Sequence, residues 1–180
     1  MDIEKSLIFK KGSDSYELGS IDEADVTDHY VKALQDQDSY IQNIHADISL
    51  EKQRAYVKKI RSSKDDGILG LFVNGILIGT SGVQNINGSG FTTFGIFVFD
   101  KEDRGKGYGK ILVWASTYLL SQSLSCTQFS AGMEKTNIAS FKAFKACGYS
   151  VLKETKDAYI VKINACDLIV PNQISGVRLA

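Results

Sequence analysis

The residues best equipped for chemistry in this chain are Arg104, Gly105, Lys106, Gly107, Tyr108 and Gly109. They follow an apolar, aromatic run over residues 91–99 and a charged stretch containing Asp100, Glu102 and Asp103. They also open an apolar-periodic segment that predicts a helix from Tyr108 to Ser121, burying Ile111, Leu112, Ala115 and Leu119. Glycine lets the backbone approach a ligand closely. A helix start offers unpaired N–H groups and the positive end of the helix dipole. A strand, a glycine loop and a helix in this order predict a binding place for a phosphate group.

The spacing narrows which phosphate compound it suits. A Walker loop needs Gly-Lys-Ser/Thr, and here Gly109-Lys110 is followed by Ile111, so the hydroxyl for a magnesium ion is missing. A dinucleotide fingerprint needs Gly-x-Gly-x-x-Gly, whereas these glycines run Gly-x-Gly-x-Gly with no series of strand-helix-strand units before them. A second segment, Asn137-Ile-Ala-Ser-Phe-Lys-Ala-Phe-Lys-Ala-Cys-Gly148-Tyr149, reads as a helix with a core stripe of Ile138, Phe141 and Phe144. Gly148 stops it, and Tyr149 starts a strand. Asn137 suits an N-cap, a ligand contact, or both.

Taken together, Arg-x-x-Gly-x-Gly after an aromatic strand and Asn-x-x-Ser ahead of a Gly-Tyr resemble the GNAT superfamily of acyl-CoA-dependent N-acetyltransferases. The resemblance covers roughly residues 68–163 and, more loosely, the helices before them. It looks closest to the branch of ribosomal-protein N-terminal and nucleotide-amino-sugar acetyltransferases. It implies acetyl-CoA as co-substrate and a peptide or small-molecule amine as acceptor. Amides from Gly105 to Lys110, with Arg104, Lys106 and Tyr108, would cradle the pyrophosphate. Phe97 and Phe99 would offer backbone groups to the pantetheine, and Asn137, Ser140 and Lys142 would line the same site. Lys142 and Lys145 either reach CoA phosphates or face solvent.

Catalytic groups are harder to place. Many family members carry a tyrosine four residues before the helix-ending glycine to protonate the thiolate, and this chain has Phe144 there. Water, another tyrosine or no acid at all would then serve. Glu134 is the candidate general base, against a reading as a solvated loop carboxylate. The family's acceptor pocket would involve residues 36–49, with Tyr40, His45 and Asp47. Two other functions stay open: a non-catalytic acyl-CoA-binding or regulatory module, and a nucleotide-phosphate binder without acyl chemistry.

The elements that must position these residues follow from pattern. Residues 7–9 predict a first strand, and Ser20-Ile-Asp-Glu23 a capping box opening a helix toward Gln35. A second helix is expected over residues 50–61, with Tyr56, Val57 and Ile60 on one face. Asn74-Gly75 between residues 68–73 and 76–83 predicts a hairpin. Asn87-Gly-Ser-Gly90 predicts a turn into the aromatic strand. A strand is expected over residues 127–131, and a last hairpin joins 149–153 to 158–163. The expectation is an α/β fold, an α+β mixed sheet in the order β-α-α-β-β-β-α-β-α-β-β, which is the GNAT order. It forms one domain over residues 1–163, with a tail at 164–180 that docks or meets a second copy, as a monomer or homodimer.

Composition bounds the rest. A chain of 180 residues is one domain by size and buries about 70% of its unfolded surface. Lys and Arg total 21, as do Asp and Glu, which disfavours a nucleic-acid partner held by bulk positive charge. No run approaches a membrane span, and the start, Met1 to Lys5, holds no apolar segment of signal-peptide length. Cys126, Cys147 and Cys166 lack Cys-x-x-Cys spacing and fit a reduced, cytoplasmic protein. The two histidines have no nearby ligand partners, so no metal site is expected.

Overall fold

The computed structural model describes residues 3–36, 48–86, 91–124 and 126–180. The expected turn at Asn87–Gly90 and the pocket residues Tyr40, His45 and Asp47 lie outside the described residues. Nine strands form one sheet: β1 (Leu7–Lys11), β2 (Asp14–Ser20), β3 (Gly67–Val73), β4 (Ile76–Gln84), β5 (Thr92–Val98), β6 (Gln128–Glu134), β7 (Ser150–Glu154), β8 (Ala158–Asn164) and β9 (Ile174–Leu179). Their spatial order is β7-β8-β6-β5-β4-β3-β2-β1-β9. The helices are α1 (Asp28–Gln35), α2 (Leu50–Arg61), α3 (Tyr108–Ser123) and α4 (Ile138–Ala146).

Period-2 alternation divides the core between two faces of the sheet. On β3, Leu69, Leu71 and Val73 join the core beneath α3 and α4, while Ile68 and Phe72 pack on the core beneath α1 and α2. On β5, Phe94, Ile96 and Val98 take the first face, and Phe97 takes the second together with Phe99 just beyond the strand. Helix α3 is apolar nearly all round, with Ile111, Leu112, Val113, Trp114 and Ala115 buried in succession. That is the pattern of a helix laid across a sheet and covered on its other side.

One pair of strands differs from the others. Every described ladder is antiparallel except β5–β6, which is parallel and short: Thr92 pairs with Phe129 and Thr93 with Ser130. The Thr93 and Ser130 hydroxyls hydrogen-bond across this last pair at 2.9 Å. Beyond it the strands part. Phe94 of β5 meets Phe144 of α4 at 5.6 Å between ring centres and Phe129 of β6 at 6.3 Å. The fork leaves one edge of β5 without a ladder partner from Phe94 onward, so its backbone groups can serve a ligand.

Three expectations need correction. Ser20 does not start a helix; it ends β2, and its Oγ accepts from the Ile3 amide at 3.0 Å. Asp22 and Asp25 instead close a local turn, with Asp22 N–H donating to Asp25 Oδ2 at 2.8 Å. Helix α1 begins at Asp28, capped by Thr27 Oγ1, which accepts from the Tyr30 amide at 3.3 Å. Strand β2 was not expected, although Tyr16 and Leu18 alternate as buried residues after the Gly12 turn. Residues 174–179 add strand β9 beside β1. Ser6 and Ala180 exchange backbone bonds of 3.0 and 2.9 Å at its end.

Candidate active site

The glycine loop forms an open helix start. Gly107 is the N-cap of α3, with φ of 93°, a left-handed conformation that side chains disfavour. It makes no side-chain cap bond, and no acidic residue stands in the first turn. Opposite the loop, a Cβ on Gly109 would lie 3.4 Å from Ile96 Cδ1 and 3.8 Å from Ala143 Cβ, so the helix start lies flat between β5 and α4. A bare helix start of this kind, with basic side chains around it, fits a polyphosphate.

Above this floor runs a cleft of about 700 Å³ between β5, the loop and α4. It brings together Phe97, Arg104, Gly105, Gly107, Gly109, Lys110, Asn137, Ser140 and Lys142. Lys106, Tyr108 and Phe99 do not line it. Lys106 Nζ pairs with Asp103 Oδ1 at 2.8 Å, and Tyr108 turns toward Tyr16, with ring centres 6.5 Å apart. Phe99 is 3% exposed, and its N–H donates to the Ile78 carbonyl at 2.9 Å, so neither its ring nor its amide is open to a ligand. Asn137 caps α4, its Oδ1 accepting from the Ser140 amide at 3.1 Å, and its side chain still borders the cleft.

A second cavity, about 330 Å³, fills the fork itself. It shares Ile96, Asn137 and Ser140 with the larger cleft and adds Glu134, Phe144 and Tyr159. The two spaces adjoin along these three residues and together make a channel from the glycine loop toward the gap between β5 and β6. Glu134 ends β6 at the rim, where Thr136 Oγ1 donates to its carboxylate at 3.4 Å. Phe144 is 1% exposed and packs on Tyr149 at 5.0 Å. The Tyr149 hydroxyl is itself taken by Thr117 Oγ1 at 2.7 Å, and burial pushes its pKa up.

Sequence reasoning missed three residues that shape this site. Gly79 on β4 faces Val98 of β5, and a Cβ there would stand 2.3 Å from the Phe97 carbonyl oxygen. Only glycine lets β4 run this close behind the cleft wall. His29 on α1 places Nε2 at 2.9 and 3.0 Å from the two Asp100 carboxylate oxygens, tying α1 to the entry of the loop. Tyr30, the next residue, meets the Phe99 ring edge to face at 5.2 Å, and burial pushes its hydroxyl up to about 12. No local pattern marks the His29–Asp100 pair, because its partners are 71 residues apart.

With the channel described, comparison with known proteins decides its family. Residues 17–150 match the acetyltransferase (GNAT) domain. The chain belongs to the GNAT acetyltransferase family. No curated protein sequence matches it. Solved GNAT-like structures share its fold at low identity. RimJ of Mycobacterium smegmatis, in complex with CoA-disulfide, is 11% identical over 89% of this chain and 87% of its own, with a TM-score of 0.77. The ribosomal-protein-S5-alanine acetyltransferase of Vibrio fischeri is 16% identical over 86% and 96%, with a TM-score of 0.71. N-acetyltransferase PseH of Campylobacter jejuni, in complex with acetyl coenzyme A, is 18% identical over 82% and 98%, with a TM-score of 0.62. Among the described residues no helix is long and apolar enough to cross a membrane, and no group of His, Cys, Asp or Glu could hold a metal ion.

Proposed function

We propose that this GNAT protein transfers an acetyl group from acetyl-CoA to a primary amine, with a protein or peptide α-amine or an amino sugar as acceptor. The observation that carries the reading is the pair of adjoining cavities, one at the glycine loop and one in the β5–β6 fork. Its floor suits a diphosphate, with Arg104, Lys110 and Lys142 for the negative charge. Its fork suits an extended amide-bearing arm, because the unpaired edge of β5 offers backbone donors and acceptors. A backbone N–H on that edge would also donate to the thioester carbonyl, which is typically worth about 3 kcal/mol as charge builds on the oxygen.

The acceptor class follows from energetics. A lysine amine costs about 4.6 kcal/mol to deprotonate at pH 7, and an α-amine only about 1 kcal/mol. The described residues place one carboxylate, Glu134, on the fork, at its rim rather than in a dry pocket. Such a site favours an amine that is already partly neutral. The same channel would also suit a non-catalytic acyl-CoA-binding module, and Phe144 in the place of the family's tyrosine favours that second reading. An acceptor screen with labelled acetyl-CoA tests both, using peptides, polyamines, aminoglycosides and nucleotide-linked amino sugars. Transfer to an α-amine or amino sugar is the expected result. Tight acetyl-CoA binding with no transfer to any acceptor would establish the module instead.

A further inference from the structure

We infer that Tyr159 is the proton donor to the thiolate released when the acetyl group leaves CoA. The inference rests on the transferase reading above and names a residue for a step that Phe144 cannot perform. Phe144 lines the fork cavity without an exchangeable proton. Among the described residues, only one tyrosine borders that cavity, and it is Tyr159. The other candidates are engaged elsewhere. The Tyr149 hydroxyl bonds Thr117, Tyr30 lies on the opposite face against Phe99, and Tyr16 and Tyr108 pack on each other beyond the loop. Ser140, the remaining hydroxyl on the cavity, is an alcohol and a far weaker acid than a phenol.

The position of Tyr159 suits the task. It stands on β8 opposite Met133 of β6, one strand beyond the β6 edge of the fork, and borders the fork cavity. Its ring is held against Phe141 of α4, with centres 4.6 Å apart and planes inclined by 31°. Lys135 Nζ lies 5.2 Å from the ring centre, itself anchored by Glu154 at 2.5 Å. The Tyr159 hydroxyl has no hydrogen-bond partner among the described residues, and the ring is neither fully buried nor exposed. A phenol fixed by its ring but unpartnered at its oxygen is poised to donate to something that enters the cavity.

The step balances as follows. The acceptor nitrogen attacks the acetyl carbon, forms the C–N bond and releases its proton to solvent. The tetrahedral intermediate then expels sulfur, the C–S bond breaks, and the sulfur takes the phenolic proton of Tyr159. The phenolate regains a proton from solvent. The net products are the acetylated amine and CoA with a free thiol.

The test begins with binding rather than turnover. Calorimetry should show CoA binding roughly threefold to tenfold tighter than desulfo-CoA, the range of one neutral hydrogen bond. Tyr159→Phe should remove that preference while leaving the melting temperature unchanged. In turnover, Tyr159→Phe should lower kcat roughly a hundredfold, as loss of a general acid does, with little change in KM for acetyl-CoA. Adding Phe144→Tyr to that variant should recover at least a tenth of the lost rate by restoring a hydroxyl from α4. Equal affinity of the wild type for CoA and desulfo-CoA, or an unchanged kcat in Tyr159→Phe, overturns the inference. If the wild type transfers acetyl to no acceptor, the transferase reading fails, and the desulfo-CoA comparison still decides whether Tyr159 meets the sulfur.

Discussion

The two halves of the channel are built on different principles. At the glycine loop the proposed contacts are made by backbone: an uncapped helix start with a left-handed Gly107. In the fork, side chains from β6, α4 and β8 converge, and chemistry depends on which of them carries a proton. A backbone site demands particular residue types at consecutive positions. A side-chain site demands only that distant elements meet. The first leaves a mark in the sequence and the second does not.

The sharpest way to break the first half is to give Gly107 a side chain. Acetyl-CoA at a hundred times its dissociation constant should stabilise the protein by about 2.7 kcal/mol, or roughly 5–10 °C in melting temperature for a domain of this size. Gly107→Ala should itself cost about 1–2 kcal/mol, because its φ of 93° is unfavourable for alanine. It should also abolish the ligand-induced shift. Thermal melts with and without millimolar acetyl-CoA measure both, and a full shift retained by Gly107→Ala would mean the loop backbone is not the cradle.

Phe144 tests the second half. Its ring is 1% exposed between Phe94 and Tyr149. Phe144→Ala should therefore destabilise by about 3 kcal/mol or more in chemical denaturation. Phe144→Tyr, at a residue that borders the fork cavity, should fold and turn over at least as fast as the wild type. A fully stable Phe144→Ala would show that the helix faces have been assigned wrongly.

How much was legible follows the same division. The loop, Asn137 and the helix-stopping Gly148 were readable because each does a backbone job that few residue types can do. Phe97 and Phe99 look equivalent in sequence, yet Phe99 N–H is bonded to Ile78 and its ring is covered by α1. Ser20 satisfies a capping pattern, but tertiary pairing with Ile3 claims its hydroxyl. Strand β9 has an irregular apolar pattern with Val177 exposed, because its ladder with β1 rather than burial holds it. His29 with Asp100 and Tyr159 with Phe141 are meetings across the chain that no local spacing announces.

A third prediction probes the floor beneath the loop. Cys147 is fully buried, its Sγ 3.4 Å from the Lys110 carbonyl oxygen, and burial pushes the thiol from 9.0 up to about 12. Its folded pKa is raised, so the protonated thiol's contribution is complete below pH 9 and is lost as pH rises from 9 toward 12. At pH 10 the loss should be roughly 1 kcal/mol. Urea unfolding of the wild type and Cys147→Ala at pH 7, 9 and 10 checks this: the wild type should lose more stability between pH 9 and 10. Parallel curves would mean that water reaches the thiol and that the floor of the cleft is not dry.

The smallest effect is expected at Glu134. Its carboxylate ends β6 beside Thr136, half-buried on the fork cavity. If the acceptor is an amine with a pKa near or below 8, the enzyme need only select the neutral form. The rate should then rise with pH and level off near the acceptor's own pKa. Glu134→Gln should change kcat by less than about threefold, small beside the hundredfold or more that loss of a true general base costs. Rate-against-pH profiles for the best acceptor, with and without Glu134→Gln, measure this. A lysine acceptor combined with a dead Glu134→Gln enzyme would reverse the conclusion. Carboxylate basicity, rather than the acceptor's own acidity, would then set the rate, and the fork would prove to be specialised for proton transfer.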